Sequence, residues 1–362
     1  MRTLFLSASF GGGHLQANLA LYEALGGEAL ERDYLEYIPL WQRVPIAGVY
    51  ALSLRYWPGL YRWFYRWSNR ESEPRVITAQ FARVGFEGLR ADLAAFRPRA
   101  VVASFPTATA LAASVRERTG AAFANVLVVT DLRAHRHWAQ PGADLILAST
   151  PEAAADLERM GVPAERIALT GIPIRQAFAE LGDRERLRRR HGLDERPVVL
   201  IASGATEAYR AQDEAVAAVL DAGRPAQVVR FKLNGRVRRE ERGRVALLTY
   251  PVGDLFPELF GAADLVLGKA GGLTVAEALA VGRPYLVYKP IPGHEEANAA
   301  WLEDRGAGYW ARNRAELGAR LKALLADPAL RRELAERARA LGRPRAAADA
   351  AERIRALVGV AV

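Results

Sequence analysis

The sequence predicts an α/β protein built on two mainly parallel sheets, and three observations carry that prediction. Short apolar runs of strand length alternate with longer stretches of helical spacing, the pattern of strands joined by crossover helices. The pattern restarts after residue 190, which argues for two such sheets. A chain of 362 residues, 51% of them hydrophobic, has the length for two domains and the material for two cores.

In chain order, Thr3–Ala8 reads as a strand running into Gly11-Gly12-Gly13-His14, and Leu15–Leu25 has helical spacing. Ala100–Ala103, Asn125–Thr130 and Leu145–Ala148 read as further buried strands. The second series is Pro197–Ser203, Gln227–Leu233, Ala246–Thr249, Asp264–Leu267 and Pro284–Tyr288, and Glu316–Leu357 reads as closing helices. Gly171-Ile-Pro-Ile-Arg175 reads as an extended connector, since the residue before a proline is pushed out of the helical region. The expected domains are therefore 1–171 and 172–345, with 346–362 a C-terminal helix packing back towards the first.

Composition removes several classes of function. Cysteine is absent, so there is no disulfide, zinc–thiolate site or cysteine nucleophile. The N-terminus lacks the apolar core and cleavage site of a signal peptide, and no run of about 18 apolar residues suggests a spanning helix. The net charge of +9 is carried by arginine, with lysine only at 232, 269, 289 and 322. Such a balance fits an anionic partner or plain compositional bias. The first 171 residues, with 18 Arg against 16 acids, are nearly neutral outside one basic stretch.

Two glycine clusters carry chemistry. Gly11-Gly12-Gly13-His14 follows a strand and opens a helix, where backbone can approach a ligand closely and a helix start favours negative charge. It lacks the spacing of the dinucleotide fingerprint. His14 stands at a strand's C-terminal end, where open α/β sheets place ligands, and an imidazole there can take a proton. The second cluster, Gly268-Lys269-Ala270-Gly271-Gly272-Leu273-Thr274, again joins a strand to a helix and is not a Walker loop. It reads as a diphosphate seat on helix-start N–H groups. Glu277, expected on the first turn, either accepts from ribose hydroxyls or only complements the helix dipole. Beyond the next strand comes Lys289-Pro-Ile-Pro-Gly-His-Glu-Glu-Ala-Asn298. Glu295 and Asn298 lie one helical turn apart there, placed to read sugar hydroxyls or merely to cap a helix.

No metal site is expected: His135 and His137 are only two residues apart, and no Asp-x-Asp stands at a strand end. Residues 41–70 hold four of the seven Trp, and the only charges there are Arg43, Arg55, Arg62, Arg66 and Arg70. Arg55, Arg62, Arg66 and Arg70 fall on one helical stripe, and Leu60, Trp63, Phe64 and Trp67 on another; Pro58 divides the segment. Together with Trp57 this is the composition of an interfacial membrane-binding segment. The alternatives are an aromatic core with snorkelling arginines and stacking on single-stranded nucleic acid, for which no other signature is present.

The run Gly268–Gly306 resembles the donor-binding end of the processive bacterial diacylglycerol glucosyltransferases and the plant-type monogalactosyldiacylglycerol synthases. Gly11–His14 resembles their N-terminal signature. Thr130-Asp131 with His135 and Trp138 resembles another family stretch. Gly171–Arg175 resembles the interdomain segment, found also in the lipid-linked GlcNAc transferase of peptidoglycan synthesis. The resemblance implies a GT-B fold, two Rossmann-like domains facing an interdomain cleft. It implies inverting, metal-independent transfer of a hexose, glucose or galactose, from a UDP-sugar to diacylglycerol or glycosyl-diacylglycerol. It implies that Gly271, Gly272, Leu273 and Thr274 hold the diphosphate, Glu277 the ribose, and Glu295 and Asn298 the sugar. Gly11, Gly12, Gly13 and Asp131 would form the acceptor side, with His14 as base and Arg175 near the leaving group. His294 replaces the family's glutamine, which bears on the choice of sugar, and Ser203-Gly204 matches an expected glycine loop only loosely. A peripheral place on the cytoplasmic side of the membrane, on anionic lipid, follows from the resemblance; no cofactor and no nucleic acid are expected. The rival readings are a nucleotide-sugar epimerase of the same fold and a non-enzymatic anionic-lipid binder.

Overall fold

The computed structural model describes residues 1–9, 12–44, 48, 52, 56–69, 84–202, 211–233 and 235–359. Gly11, Arg55, Arg70, Ser203 and Gly204 lie outside these. The chain divides into two compact units. One is Met1–Arg175 with Pro292–His294 and Arg345–Val362; the other is Gln176–Ile291 with Glu295–Pro344.

The first unit holds a six-stranded parallel sheet of β1 (Thr3–Ser7), β2 (Ala29–Asp33), β3 (Ala100–Ala103), β4 (Ala124–Val128), β5 (Leu145–Ala148) and β6 (Ile167–Leu169). Its spatial order is β2-β1-β3-β4-β5-β6, and every pairing is parallel. A parallel sheet buries both faces, so its central strands must be apolar throughout. Alternation along β1 shows why: Leu4 and Leu6 pack on one side with Val101 and Leu111, while Phe5 packs on the other with Val102, Val126 and Leu21. The second side is completed by the helix Ala346–Leu357, which supplies Ala350, Ala351 and Ile354 and packs against the helix Gly12–Leu25. Arg355 donates to the Ala24 carbonyl at 2.7 Å, and Arg99 to the Val358 carbonyl at 2.7 Å.

The second unit holds β7 (Val198–Ala202), β8 (Ala226–Lys232), β9 (Arg238–Arg242), β10 (Val245–Pro251), β11 (Leu265–Gly268), β12 (Tyr285–Tyr288) and β13 (Gly308–Ala311). The order is β13-β12-β11-β7-β8-β10-β9. All pairings are parallel except that of β9 with β10. The strand β9 reads Arg-Arg-Glu-Glu-Arg, a charged edge of the kind that discourages pairing with another chain. Asp264 ties the start of this sheet together, accepting from the Val198 N–H at 2.8 Å and from Arg188 at 3.0 Å.

Sequence periodicity finds the apolar strands of both sheets and misses β2, β6, β9 and β13. All four are at or next to an edge and are short or polar, so they carry no buried apolar run. The first glycine cluster is also shorter than the sequence suggests. The helix starts at Gly12, so Gly12, Gly13 and His14 form its first turn and are not a loop before it.

Candidate functional site

Ligands of open α/β sheets bind at the carboxyl ends of strands, where the strand order reverses. In the first unit that point is between β1 and β3, which lie side by side while β2 lies beyond β1. The first turn of the helix that follows β1 carries His14, and the turn after β3 carries Ser104 and Phe105. The Ser104 hydroxyl donates to the His14 carbonyl at 3.2 Å, and the Phe105 ring meets the imidazole edge-on at 5.8 Å between centroids. Thr130, just past β4, places its hydroxyl 3.4 Å from His14 Nδ1. Burial pushes the imidazole below its ordinary pKa, and the neighbouring Asp131 carboxylate pulls it partly back. His14 is therefore neutral at pH 7 and able to take a proton.

Asp131 is fixed from several directions. Its carboxylate accepts from the Trp138 indole at 3.2 Å, and its carbonyl accepts from the Ser149 hydroxyl. The following residues are held by the buried Asp156, which accepts from Arg133 at 2.7 and 2.8 Å and from the Ala134 N–H at 3.2 Å. Gly12, Gly13, His14 and Asp131, the residues expected on the acceptor side, thus stand around one end of the first sheet.

In the second unit the order reverses between β7 and β11. The turn after β11 is Lys269–Gly271, and the helix Gly272–Val281 begins there with Gly271 as its N-cap and no capping side chain. Gly272, Leu273 and Thr274 form the first turn, whose N–H groups have no acceptor within the helix. Space is tight beneath: a side chain at Gly268 would lie 2.6 Å from the Ala202 carbonyl. Glu277 is buried and lies on the second turn, not the first, so complementing the helix dipole does not account for it.

The turn is braced from downstream. The Tyr285 hydroxyl donates to the Lys269 carbonyl at 2.6 Å, and the Asn298 amide donates to the Ala270 carbonyl at 3.0 Å. Glu295, 1% exposed, takes the Lys269 ammonium on one oxygen and the Ile291 N–H on the other at 2.8 Å. Glu295 and Asn298 share the buried face of the helix His294–Asp304, and His294 opens that helix. Lys289 adopts a left-handed backbone, φ 50°, with its ammonium and the Tyr288 hydroxyl both on Glu214. Sequence reading gave no part to Lys269, Tyr285 or Glu214. No local spacing rule links Lys269 to Glu295 or Glu214 to Lys289; their partnerships exist only through the sheet.

The aromatic segment forms a ten-residue helix, Pro58–Trp67, with proline in its first turn as helix starts allow and none of its residues buried. Trp57 and Trp63 are 59% and 57% exposed, Phe64 is exposed, and the Trp63 and Trp67 rings stack at 6.0 Å. Arg62 and Arg66 belong to the same helix. The aromatic-core alternative is thereby removed for this helix.

Comparison with known proteins bears on the whole chain. Residues 14–174 match the family model of monogalactosyldiacylglycerol (MGDG) synthase, and residues 232–354 match the glycosyltransferase family 28 C-terminal domain. The structure of MurG from Acinetobacter baumannii aligns over 98% of this chain and 99% of its own, with a TM-score of 0.64 at 16% identity. The protein is a glycosyltransferase of the GT-B fold. In particular, it is similar to the processive diacylglycerol β-glucosyltransferases. That of Bacillus cytotoxicus is 28% identical over 358 residues, 96% of this chain and 91% of the relative. That of Bacillus subtilis is 28% identical over 341 residues, 90% and 87%. The fold alone does not separate transferase from epimerase. UDP-GlcNAc 2-epimerase of Neisseria meningitidis, solved with UDP-GlcNAc, aligns over 98% of this chain and 99% of its own, with a TM-score of 0.58 at 14% identity.

Proposed function

We propose that this glycosyltransferase moves a hexose, glucose or galactose, from a UDP-sugar to the free hydroxyl of diacylglycerol or a glycosyl-diacylglycerol, inverting the anomeric carbon. The observation that carries the reading is the helix start at Gly271–Thr274. It has no capping side chain, lies at the switch point of its sheet, and is braced by Lys269, Tyr285, Glu295 and Asn298. Such a start suits a diphosphate. The acceptor class is taken from the names of the sequence relatives.

The chemistry assigned is one displacement. The acceptor oxygen attacks the anomeric carbon, its proton passes to His14, and the bond from that carbon to the β-phosphate oxygen breaks. The Thr130 hydroxyl beside Nδ1 and the Ser104 backbone orient the ring. The leaving UDP meets the helix-start N–H groups beside Lys269, with Arg175 assigned as a further cation, so the reading needs no metal ion. Glu277 takes the ribose, and His294 bears on the identity of the sugar. The exposed aromatic helix, with Arg62 and Arg66, docks on an anionic bilayer from the cytoplasmic side. Among the described residues, no helix is long and apolar enough to cross a membrane.

Purified protein is incubated with liposomes containing diacylglycerol and a panel of UDP-sugars, with and without a chelator. Glycolipid forms from UDP-glucose or UDP-galactose, undiminished by the chelator. Absence of glycolipid from every donor overturns the reading. Conversion of a donor without lipid counts equally against the acceptor assigned here.

A further inference from the structure

His135 belongs to the Asp131–Trp138 stretch, yet transfer chemistry gives it no part. Its ring is buried, 4% exposed, and lies 4.4 Å from the Tyr65 ring between centroids. Both ring nitrogens are engaged. Nδ1 accepts from the His137 N–H at 3.2 Å, so it carries no proton. Nε2 then bears the proton and donates to the Tyr65 carbonyl at 2.9 Å, with the Ser68 hydroxyl 3.4 Å away. Backbone groups on two different elements therefore fix the tautomer. Burial, aided by His137, lowers the pKa to about 4, so the ring is neutral near pH 7.

The Tyr65 carbonyl is one of the last in the helix Pro58–Trp67, where carbonyls have no intrahelical partner, and it accepts from the Ser68 hydroxyl at 3.2 Å as well as from His135. His135 thus holds the C-terminal turn of an otherwise unburied helix. A second tie runs beside it, from the Arg136 N–H to the Asn69 side chain at 2.8 Å. The loop on the other side of these bonds begins with Asp131, the carboxylate that acts on His14.

We propose that His135 is a positioning residue that ties the aromatic helix to the Asp131 loop, so that an acceptor lipid gathered at the helix presents its hydroxyl at His14. The proposal rests on the reading of the Pro58–Trp67 helix as a bilayer-docking element.

The test uses the full chain with two acceptors. One is long-chain diacylglycerol in vesicles of equal parts phosphatidylglycerol and phosphatidylcholine; the other is dispersed short-chain diacylglycerol. With His135→Ala, KM for the vesicle acceptor rises about tenfold, the scale of one lost buried hydrogen bond. Turnover at saturation, UDP affinity and KM for the dispersed acceptor stay near wild type. His135→Gln, which keeps a donor for the Tyr65 carbonyl, recovers most of the loss; His135→Asn, whose shorter amide reaches only the Nδ1 position, does not. Asn69→Ala, on the exposed side of the same contact, shifts the vesicle KM in the same direction by a smaller factor and tests the tie if His135→Ala fails to fold. Equal losses on both acceptors, or equal failure of Gln and Asn with a matching fall in Tm, would reduce His135 to a structural residue and overturn the proposal. Wild-type protein that binds the vesicles while the variants keep its KM overturns this proposal alone. Wild-type protein that ignores the vesicles overturns the docking reading as well.

Discussion

His14 combines two opposing influences in one side chain: burial lowers its pKa and Asp131 raises it, with burial the larger. Its neutral form is the base, so activity is lost as pH falls through a value below the ordinary imidazole pKa of about 6.5. A kcat/KM profile whose acid limb lies at or above that value would remove His14 from the role. His14→Ala should lower turnover by roughly 10²–10⁴-fold, the usual worth of a general base, with UDP affinity unchanged by calorimetry. Glu277→Ala should weaken UDP binding by roughly 1.5–3 kcal/mol, the scale of a charged hydrogen bond. An unchanged affinity would make its burial a packing matter only. His14 and Glu277 were legible because each follows a glycine-rich turn. The bracing of the second turn by Lys269, Tyr285 and Glu295 was not, since those three come from separate elements.

At the scale of elements, the helix Pro58–Trp67 is the one whose sequence and surroundings disagree most with those of a core helix. Its arginine and aromatic stripes were visible in the spacing, but whether the aromatics faced a core or solvent was not. Hydrophobic periodicity is identical in the two cases, and only the lack of any buried residue in the helix separates them. Replacing Trp63 and Trp67 by Ser should therefore leave Tm nearly unchanged. It should weaken vesicle binding by tenfold or more, at about 1.5 kcal/mol or more per large apolar side chain withdrawn from the interface. Sedimentation with anionic liposomes, paired with thermal unfolding, distinguishes this from a core role, in which Tm falls instead. The helix Gly12–Leu25 teaches a related point. Two glycines at its start read as loop by propensity, yet they form its first turn.

At the scale of the whole molecule, the C-terminal helix Ala346–Leu357 follows the second sheet in the chain but completes the core of the first unit. Ile354 lies within that core beside Phe5, Leu21 and Val126. Ile354→Ala should destabilise the first unit by about 2–5 kcal/mol, as truncation of a buried aliphatic side chain does. Denaturant unfolding followed by hydrogen exchange would locate the loss on β1 and β4; protection lost only in the second sheet would contradict the assignment.

By itself the sequence determined the α/β class, the apolar central strands and the two glycine clusters at strand-to-helix junctions. Buried parallel strands must be continuous in apolar residues, and close backbone approach favours glycine, so both leave a local trace. Only the tertiary structure decided that each turn lies where its sheet reverses strand order. It alone brought Glu295 to Lys269 and His135 to Tyr65, and left Trp57 and Trp63 exposed. Those outcomes depend on which strands are neighbours and which faces are covered, and strand order leaves no mark on the spacing of residues along the chain.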